Sequence, residues 1–289
     1  MIYNLLIAPF VDFDFMRRAL AGVIVLAFGV APVGVFLMLR RMSLMGDAMS
    51  HAILPGVAVA FLLSGLNRIA MTIGGLAAGL VVAVLSGVVT RSTQMKEDAS
   101  LAAFYLISLA LGVSIVSAHG TSLDLLEILF GNIRALDNDG LVVIAFNTSL
   151  SLVILAIIYR PLVIECVDPV FLSTMGRAGG MAHLAFLALV VVNLISAYLA
   201  LGTLLAVGLM ILPAAIAKFW SRDISGMILV AIVSAIVSGY AGLVASIQTG
   251  VPAGPAIVLM AGAIYVLSLL FGSADGILRS IAPAHHLKA

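Results

Sequence analysis

Residues 224 to 246 read ISGMILVAIVSAIVSGYAGLVAS, a run with no charged side chain and enough length to cross the ~30 Å hydrocarbon core of a bilayer as a helix. Runs of the same kind recur near 19 to 39, 52 to 66, 69 to 90, 101 to 118, 141 to 159, 182 to 201, 203 to 217 and 256 to 272. Of the 289 residues 63% are apolar and only 9% charged, where a soluble domain carries about 25% charged residues. The mean hydropathy is +1.27. The fold class is therefore all-α: one polytopic transmembrane helical bundle of eight or nine spans, a single domain over residues 1 to 289 with no room for a separate soluble domain of ordinary size.

Several spans are rich in small residues, such as Gly74, Gly75, Ala77, Ala78 and Gly79. These let helix backbones approach closely where lipid offers no hydrophobic drive to associate. The segment 203 to 217 is short and holds Pro213, which leaves open whether it crosses fully or enters only part of the depth. Nine crossings put the two ends on opposite sides, and the bias of basic residues towards the cytoplasm decides which way round. A cytoplasmic C-terminus and an outer N-terminus place Arg40, Arg41, Arg91, Lys96, Arg160, Arg177, Lys218, Arg222, Arg279 and Lys288 inside. Only Arg17, Arg18, Arg68 and Arg134 then lie outside, a bias of ten against four. Segments 40 to 51, 91 to 100, 160 to 181 and 218 to 223 are thus expected to face the cytoplasm, and 119 to 140 and 247 to 255 to face out.

The formal charge of +1 comes from basic residues scattered among loops, with no stripe suited to nucleic acid. Cys166 is the single cysteine, so the chain has no internal disulfide and no CxxC pair for zinc or redox chemistry. The first eighteen residues carry Asp12 and Asp14 and lack a basic start, a short apolar run and a small-residue cleavage site, so no signal peptide is expected. No G-x-x-x-x-G-K-[ST] loop is present to cradle nucleotide phosphates, and His51 is followed by Ala52 and Ile53, which breaks any H-E-x-x-H pattern. The expectation is a transport subunit and not an enzyme, with any ATP hydrolysed on a partner.

The chemistry gathers in RRMSLMGDAMSHAILPG, residues 40 to 56, where Asp47 and His51 stand at the boundary of an apolar helix. Four residues apart on a helix puts both on one face, within reach of a single ion. A carboxylate and a neutral imidazole suit zinc or manganese, and two ligands are too few for a closed structural site. A transport site, from which the ion must also leave, fits that count. The competing reading has Asp47 capping the helix and pairing with His51 or Arg41 near the headgroups. Gly46 and Pro55 bracket the pair, and TGVPAGP at 249 to 255 opens the last span. Such breaks either line a path or are ordinary turns. His119 in the outer loop reads as solvated or as an entry ligand, His183 beside Gly179 and Gly180 as interfacial, and His285 with His286 as a weak metal pair.

Five ordered runs carry a resemblance: LRRMSLMGDAMSHAILPGVA, SLDLLEILFGNI, DPVFLSTMG, GLMILPAAIAKFW and TGVPAGPAIVL. Together they resemble the permease family of bacterial ABC importers for zinc, manganese and iron, over nearly the whole chain. The resemblance implies a fold similar to the cobalamin and iron-siderophore permeases, in the bacterial cytoplasmic (inner) membrane. It implies a homodimer or close pair, two ABC ATPase subunits and an extracytoplasmic metal-binding protein, met by the outer loop at 119 to 140. It carries the family's pathway acid and histidine onto Asp47 and His51, with no permanently bound cofactor and a divalent metal as cargo. It also implies an ATPase-docking region over 203 to 226, with Ala215, Lys218, Phe219, Trp220, Ser221, Arg222 and Asp223 at its tip, and ECVDPVFLSTMG from 165 to 176 beside it or resting on the membrane surface. A gradient-driven secondary transporter and a non-transporting scaffold subunit are the alternatives. The first would need coupling carboxylates within the membrane, and Asp47 is the one available.

Overall fold

A computed structural model describes residues 7–65, 67–93, 95, 97–118, 136–167 and 178–278. His119, most of the outer loop at 119 to 140, most of 165 to 176, and His285 with His286 lie outside the described residues. The elements are helices: α1 (Ala8–Asp12), α2 (Asp14–Leu39), α3 (Leu44–Ala52), α4 (Leu54–Ser64), α5 (Arg68–Ser92), α6 (Glu97–Ala118), α7 (Asn138–Val167), α8 (Ala178–Leu201), α9 (Thr203–Trp220), α10 (Ile224–Thr249) and α11 (Ala253–Phe271). Counting α3 and α4 as one interrupted span, nine helices among the described residues are long and apolar enough to cross a membrane.

Helix α2 is the axis of the bundle. It packs against α7, α8, α9 and α10, and it is the most thoroughly buried of the spans. Small residues make this possible. A Cβ on Gly29 would strike Asn193 Oδ1 of α8, and one on Gly34 would strike the Met210 carbonyl oxygen of α9. The same device joins α4 to α5, where Gly56 and Gly74 each lie against the other's carbonyl oxygen. Backbone meets backbone at these points, the close approach that small residues permit in lipid.

Several polar side chains at the α7/α8 seam pair across the helices, while Thr148 Oγ1 of α7 is buried with no partner among the described residues. Asn147 Nδ2 donates to Ser196 Oγ at 2.7 Å, and Asn193 Nδ2 donates to Ser151 Oγ at 2.6 Å and to the Leu189 carbonyl at 2.9 Å. Without water, such pairing offsets the cost of burying each group.

Several boundaries differ from the sequence reading: the span read at 52 to 66 begins at Leu44, which takes Asp47 and His51 into it and out of the segment expected to face the cytoplasm. The apolar run at 141 to 159 continues to Val167, because Pro161 sits inside α7 and ends nothing. Proline removes one donor and crowds the preceding turn, and neighbouring helices in a membrane bundle absorb that cost. The segment at 203 to 217 extends to Trp220 as an 18-residue helix, long enough to count as a span despite Pro213.

The end of α2 fixes how the chain enters α3. Arg40 is its C-cap and Arg41 takes the left-handed conformation at φ 59°. The Met42 N–H donates to the Leu37 carbonyl at 2.8 Å and the Arg41 N–H to the Met38 carbonyl at 3.1 Å. These two bonds define a Schellman termination, with arginine at the position glycine usually holds. Placing a side chain there costs about 1–2 kcal/mol.

Gly34→Ala is expected to push α9 away from α2 and to lower stability by about 1–3 kcal/mol, the usual cost of overpacking. A Cβ on Gly87 meets nothing within 4 Å, so Gly87→Ala is expected to be neutral or stabilising by up to ~1 kcal/mol. Thermal unfolding of the two variants in detergent makes the comparison.

Candidate metal-transport site

The site is built on an interrupted helix. Helix α3 runs nine residues and stops at Ile53, and α4 starts at Leu54 with Pro55 in its first turn. Proline lacks an N–H, so the ladder cannot pass through it. The Ile53 N–H bonds instead to the His51 carbonyl, and Ser108 Oγ of α6 donates to the Ala52 carbonyl at 2.8 Å. The break expected from Pro55 is present, and a neighbouring helix supplies a donor to the Ala52 carbonyl. The turn before α11, in contrast, is an ordinary connection in which Gly250 takes the left-handed conformation at φ 73° and ends α10.

Met45, Met49 and Ile53 are buried and fix the inner face of α3 in the core. That leaves Asp47, Ser50 and His51 facing a cavity of about 480 Å³. The opposite wall is one face of α9, Thr203, Val207, Gly208 and Ile211 among it, with Val258 of α11. Positions 203, 207 and 211 recur every four residues and so lie one above another on the helix. The wall is apolar except for Thr203.

Asp47 Oδ1 lies 3.8 Å from His51 Nε2, and the two side chains are 61% and 28% exposed. At that separation they are neighbours without a hydrogen bond, since a true one needs about 3.2 Å or less. Both keep lone pairs available. Asp47 is not the helix cap: Ser43 holds that position with no side-chain bond, while Ser50 Oγ donates to the Asp47 carbonyl at 2.7 Å. The Tyr105 ring lies against His51, with centroids 6.3 Å apart. No group of three or more His, Cys, Asp or Glu with metal-binding geometry occurs among the described residues. One chain thus offers two ligands and leaves the rest of the shell open.

The residues expected to dock an ATPase form the end of α9 and its exit. Ala215 and Phe219 are half-buried, while Lys218, Trp220, Arg222 and Asp223 are exposed. The final turns of a helix leave carbonyls unmatched, and the chain after α11 takes up two of them. Ala274 N–H donates to the Phe219 carbonyl at 2.8 Å and Ser273 Oγ to the Trp220 carbonyl at 3.2 Å. Trp220 Nε1 donates to Ser268 Oγ at 2.9 Å, and Arg222 reaches the Ala274 carbonyl at 3.2 Å. Asp223 then caps α10, accepting from the Gly226 N–H at 2.7 Å and from Ser221 Oγ at 2.8 Å. The Gly226 bond first, and the Ser221 bond second, hold its carboxyl below the ordinary carboxylate range.

Sequence reasoning missed two features. The α9 wall has no polar signature beyond Thr203, and only its four-residue spacing hinted at a shared face. The second is a buried cluster of Arg40, Glu165 and His183. His183 packs against Arg40 and Glu165 with 13% of its side chain exposed. Glu165 lies on the part of α7 that follows Pro161.

Residues 12–272 match the ABC 3 transport family. The chain belongs to that family. Among the relatives of this ABC 3 protein is the manganese transport system membrane protein MntC of Halalkalibacterium halodurans, 31% identical over 92% of this chain and 90% of the relative. The manganese import system permease protein ScaB of Streptococcus gordonii is 33% identical over 89% and 91%. The chelated iron transport system membrane protein YfeD of Yersinia pestis is 28% identical over 94% and 90%. The solved structure of PsaBC from Streptococcus pneumoniae in complex with Fab aligns at a TM-score of 0.83 and 31% identity, over 97% of this chain and 99% of that one. An inward-facing ABC transporter of the metal-chelate type aligns at 0.64 and, with 15% identity, supports the fold alone. The ABC 3 chain is a multi-pass membrane protein and a transport component.

Because the Asp223 carboxyl is held low in the folded chain, its capping bonds stabilise above the ordinary carboxylate pKa and are lost as pH falls through the folded value. Asp223→Ala is therefore expected to unfold at a lower temperature than wild type near pH 7, with the gap closing as pH drops below ~4. Melting curves at a series of pH values check this.

Proposed function

We propose that the chain is the permease subunit of an ATP-driven importer that carries a divalent transition metal across the bacterial cytoplasmic membrane. The observation that carries this reading is the Asp47–His51 pair, two free-handed ligands on one helix face opening into a cavity whose remaining lining is apolar but for Ser50 and Thr203. An ionisable pair in such surroundings is a functional site by default. The names of the relatives favour manganese, with iron and zinc as neighbours in ligand preference.

Two ligands per chain fit a transient stop on a path. Water or a second copy of the chain completes the shell, and the cation leaves as easily as it arrived. An outer binding protein delivers the cargo to the loop around 119 to 140. ATP is bound and hydrolysed on a separate ATPase subunit, which engages Ala215 to Asp223 on the cytoplasmic side. Helix α9 joins the two sites: its far face lines the cavity, and its end forms the docking tip. A gradient-driven carrier would need no such tip.

Asp47→Ala and His51→Ala are each expected to reduce Mn²⁺ uptake to background in liposomes holding the permease, its ATPase and the binding protein, while co-purification of the ATPase is unchanged. Wild-type uptake in either variant sinks the assignment. Lys218→Ala with Arg222→Ala is expected to leave cation binding intact and to uncouple ATP hydrolysis from transport, read as ATPase activity that no longer responds to the loaded binding protein.

A further inference from the structure

Arg40 just beyond α2, Glu165 on α7 and His183 on α8 meet in the protein interior, far apart in sequence and outside the cation cavity. One nitrogen of the guanidinium, Nη2, donates both of its protons, to Glu165 Oε1 at 2.8 Å and to His183 Nδ1 at 2.6 Å. Arginine has no lone pair to offer, so His183 Nδ1 must accept and the ring is neutral with its proton on Nε2. The Arg40 side chain is only 8% exposed, and its Cζ lies 5.0 Å from the centroid of the Phe186 ring. Phe186 in turn packs edge-on against Phe36 of α2. Arg40 Nη1 and Glu165 Oε2 are buried without a partner among the described residues.

A buried ion pair seldom stabilises a fold more than well-packed apolar side chains of similar volume do. Phe186 lies against the guanidinium, and Leu37, Leu162 and Leu187, close by in sequence on the same helices, are buried and apolar. What the cluster adds is direction, because a guanidinium fork fixes angles as well as distances. The thing it fixes is the turn at 40 to 43. Arg40 ends α2, Arg41 reverses the backbone, and α3 begins at Leu44 with Asp47 in its first turn. Each residue added to or lost from a helix start rotates its faces by about 100°. Slack of a single residue in this turn would swing Asp47 and His51 out of the cavity, whereas a working site holds its groups within about 0.5 Å.

We propose that Arg40 is a positioning residue for the transported cation: clamped by Glu165, His183 and Phe186, it sets the start of α3 and so the direction in which Asp47 and His51 point. This rests on the reading of Asp47 and His51 as the cargo's ligands. It assigns a transport role to four side chains that never touch the ion. The positive guanidinium belongs at this distance, tied up by a carboxylate, because a free cationic group beside the path would repel the cargo.

The test uses the full permease assembled with its ATPase, with Co²⁺ as a probe whose visible absorption reports ligand geometry, and Mn²⁺ uptake for KM. Arg40→Met combined with Glu165→Leu replaces the pair by apolar side chains and is expected to keep a wild-type Tm. Its Co²⁺ affinity is expected to fall by about 10–100-fold, the usual cost of losing a ligand's supporting shell, with an altered band and a raised KM. Arg40→Lys keeps the charge and loses the fork, and is expected to shift the same readings less. If the double variant does not assemble, Arg40→Lys decides alone. Folded variants with the wild-type Co²⁺ band and affinity overturn the proposal and leave the cluster a packing device. Asp47→Ala is measured beside them. Should it too retain wild-type Co²⁺ binding, the assignment of the ligands has failed; should it lose binding while the Arg40 variants do not, only the positioning role has.

Discussion

A bilayer offers no water to a backbone N–H or C=O, so the backbone groups at depth must be matched inside the protein. Helices meet that demand, and the points of interest are the few where the ladder yields and something else takes over. At Ile53 the ladder stops for Pro55, and a serine from α6 donates to the Ala52 carbonyl. At the end of α9 the segment after α11 supplies donors to Phe219 and Trp220. At the end of α2 the Schellman bonds close the helix through Arg41. Asp47 with His51, the exposed end of α9 and the buried arginine each lie beside one of these three places. An interruption costs stability unless another element completes it, and completion by a distant element ties the local geometry to the packing of the whole bundle.

The two sets of ionisable side chains are treated in opposite ways. Glu165 is 16% exposed and spends one oxygen on a guanidinium. Asp47 is 61% exposed and stands 3.8 Å from an imidazole it does not bond. A carboxylate already holding arginine has little attraction left for a divalent cation, and the arginine repels it outright. A carboxylate with free lone pairs beside an imidazole is a fair ligand. The described residues therefore hold two acid–histidine pairs of similar composition, and on the proposed reading the presence or absence of one arginine separates a binding site from a clamp.

Much of this was legible in the sequence. Hydropathy alone marks the spans, since in a bilayer apolar length and helix length are nearly the same quantity. The spacing of Asp47 and His51 put them on one face, and Pro55 marked the break. Other features were hidden for identifiable reasons. Arg160 followed by Pro161 reads as a helix end in water, which concealed that α7 carries Glu165 inward. Arg40 and Arg41 are alike in sequence, and only the cap geometry decides that the first folds back into the protein while the second turns out. The α9 wall was invisible because apolar residues facing a cavity have the same composition as apolar residues facing lipid.

Helix α9 draws these strands together. It has 18 residues, about 27 Å at 1.5 Å per residue, with Thr203 at the cavity end and Trp220 at the docking tip. Its middle is pressed against the axis of the bundle, where Gly34 admits the Met210 carbonyl, so it has little freedom to bend towards α2. A push at a braced tip on such a rod shifts the far end by a comparable amount, whereas a push on a loose loop would be lost in the loop. On the proposed reading, the brace from Ser273 and Ala274 is thus as much part of the transport device as the ligands are. Force applied to the last turn reaches the wall opposite Asp47 and His51 only if that turn cannot unwind.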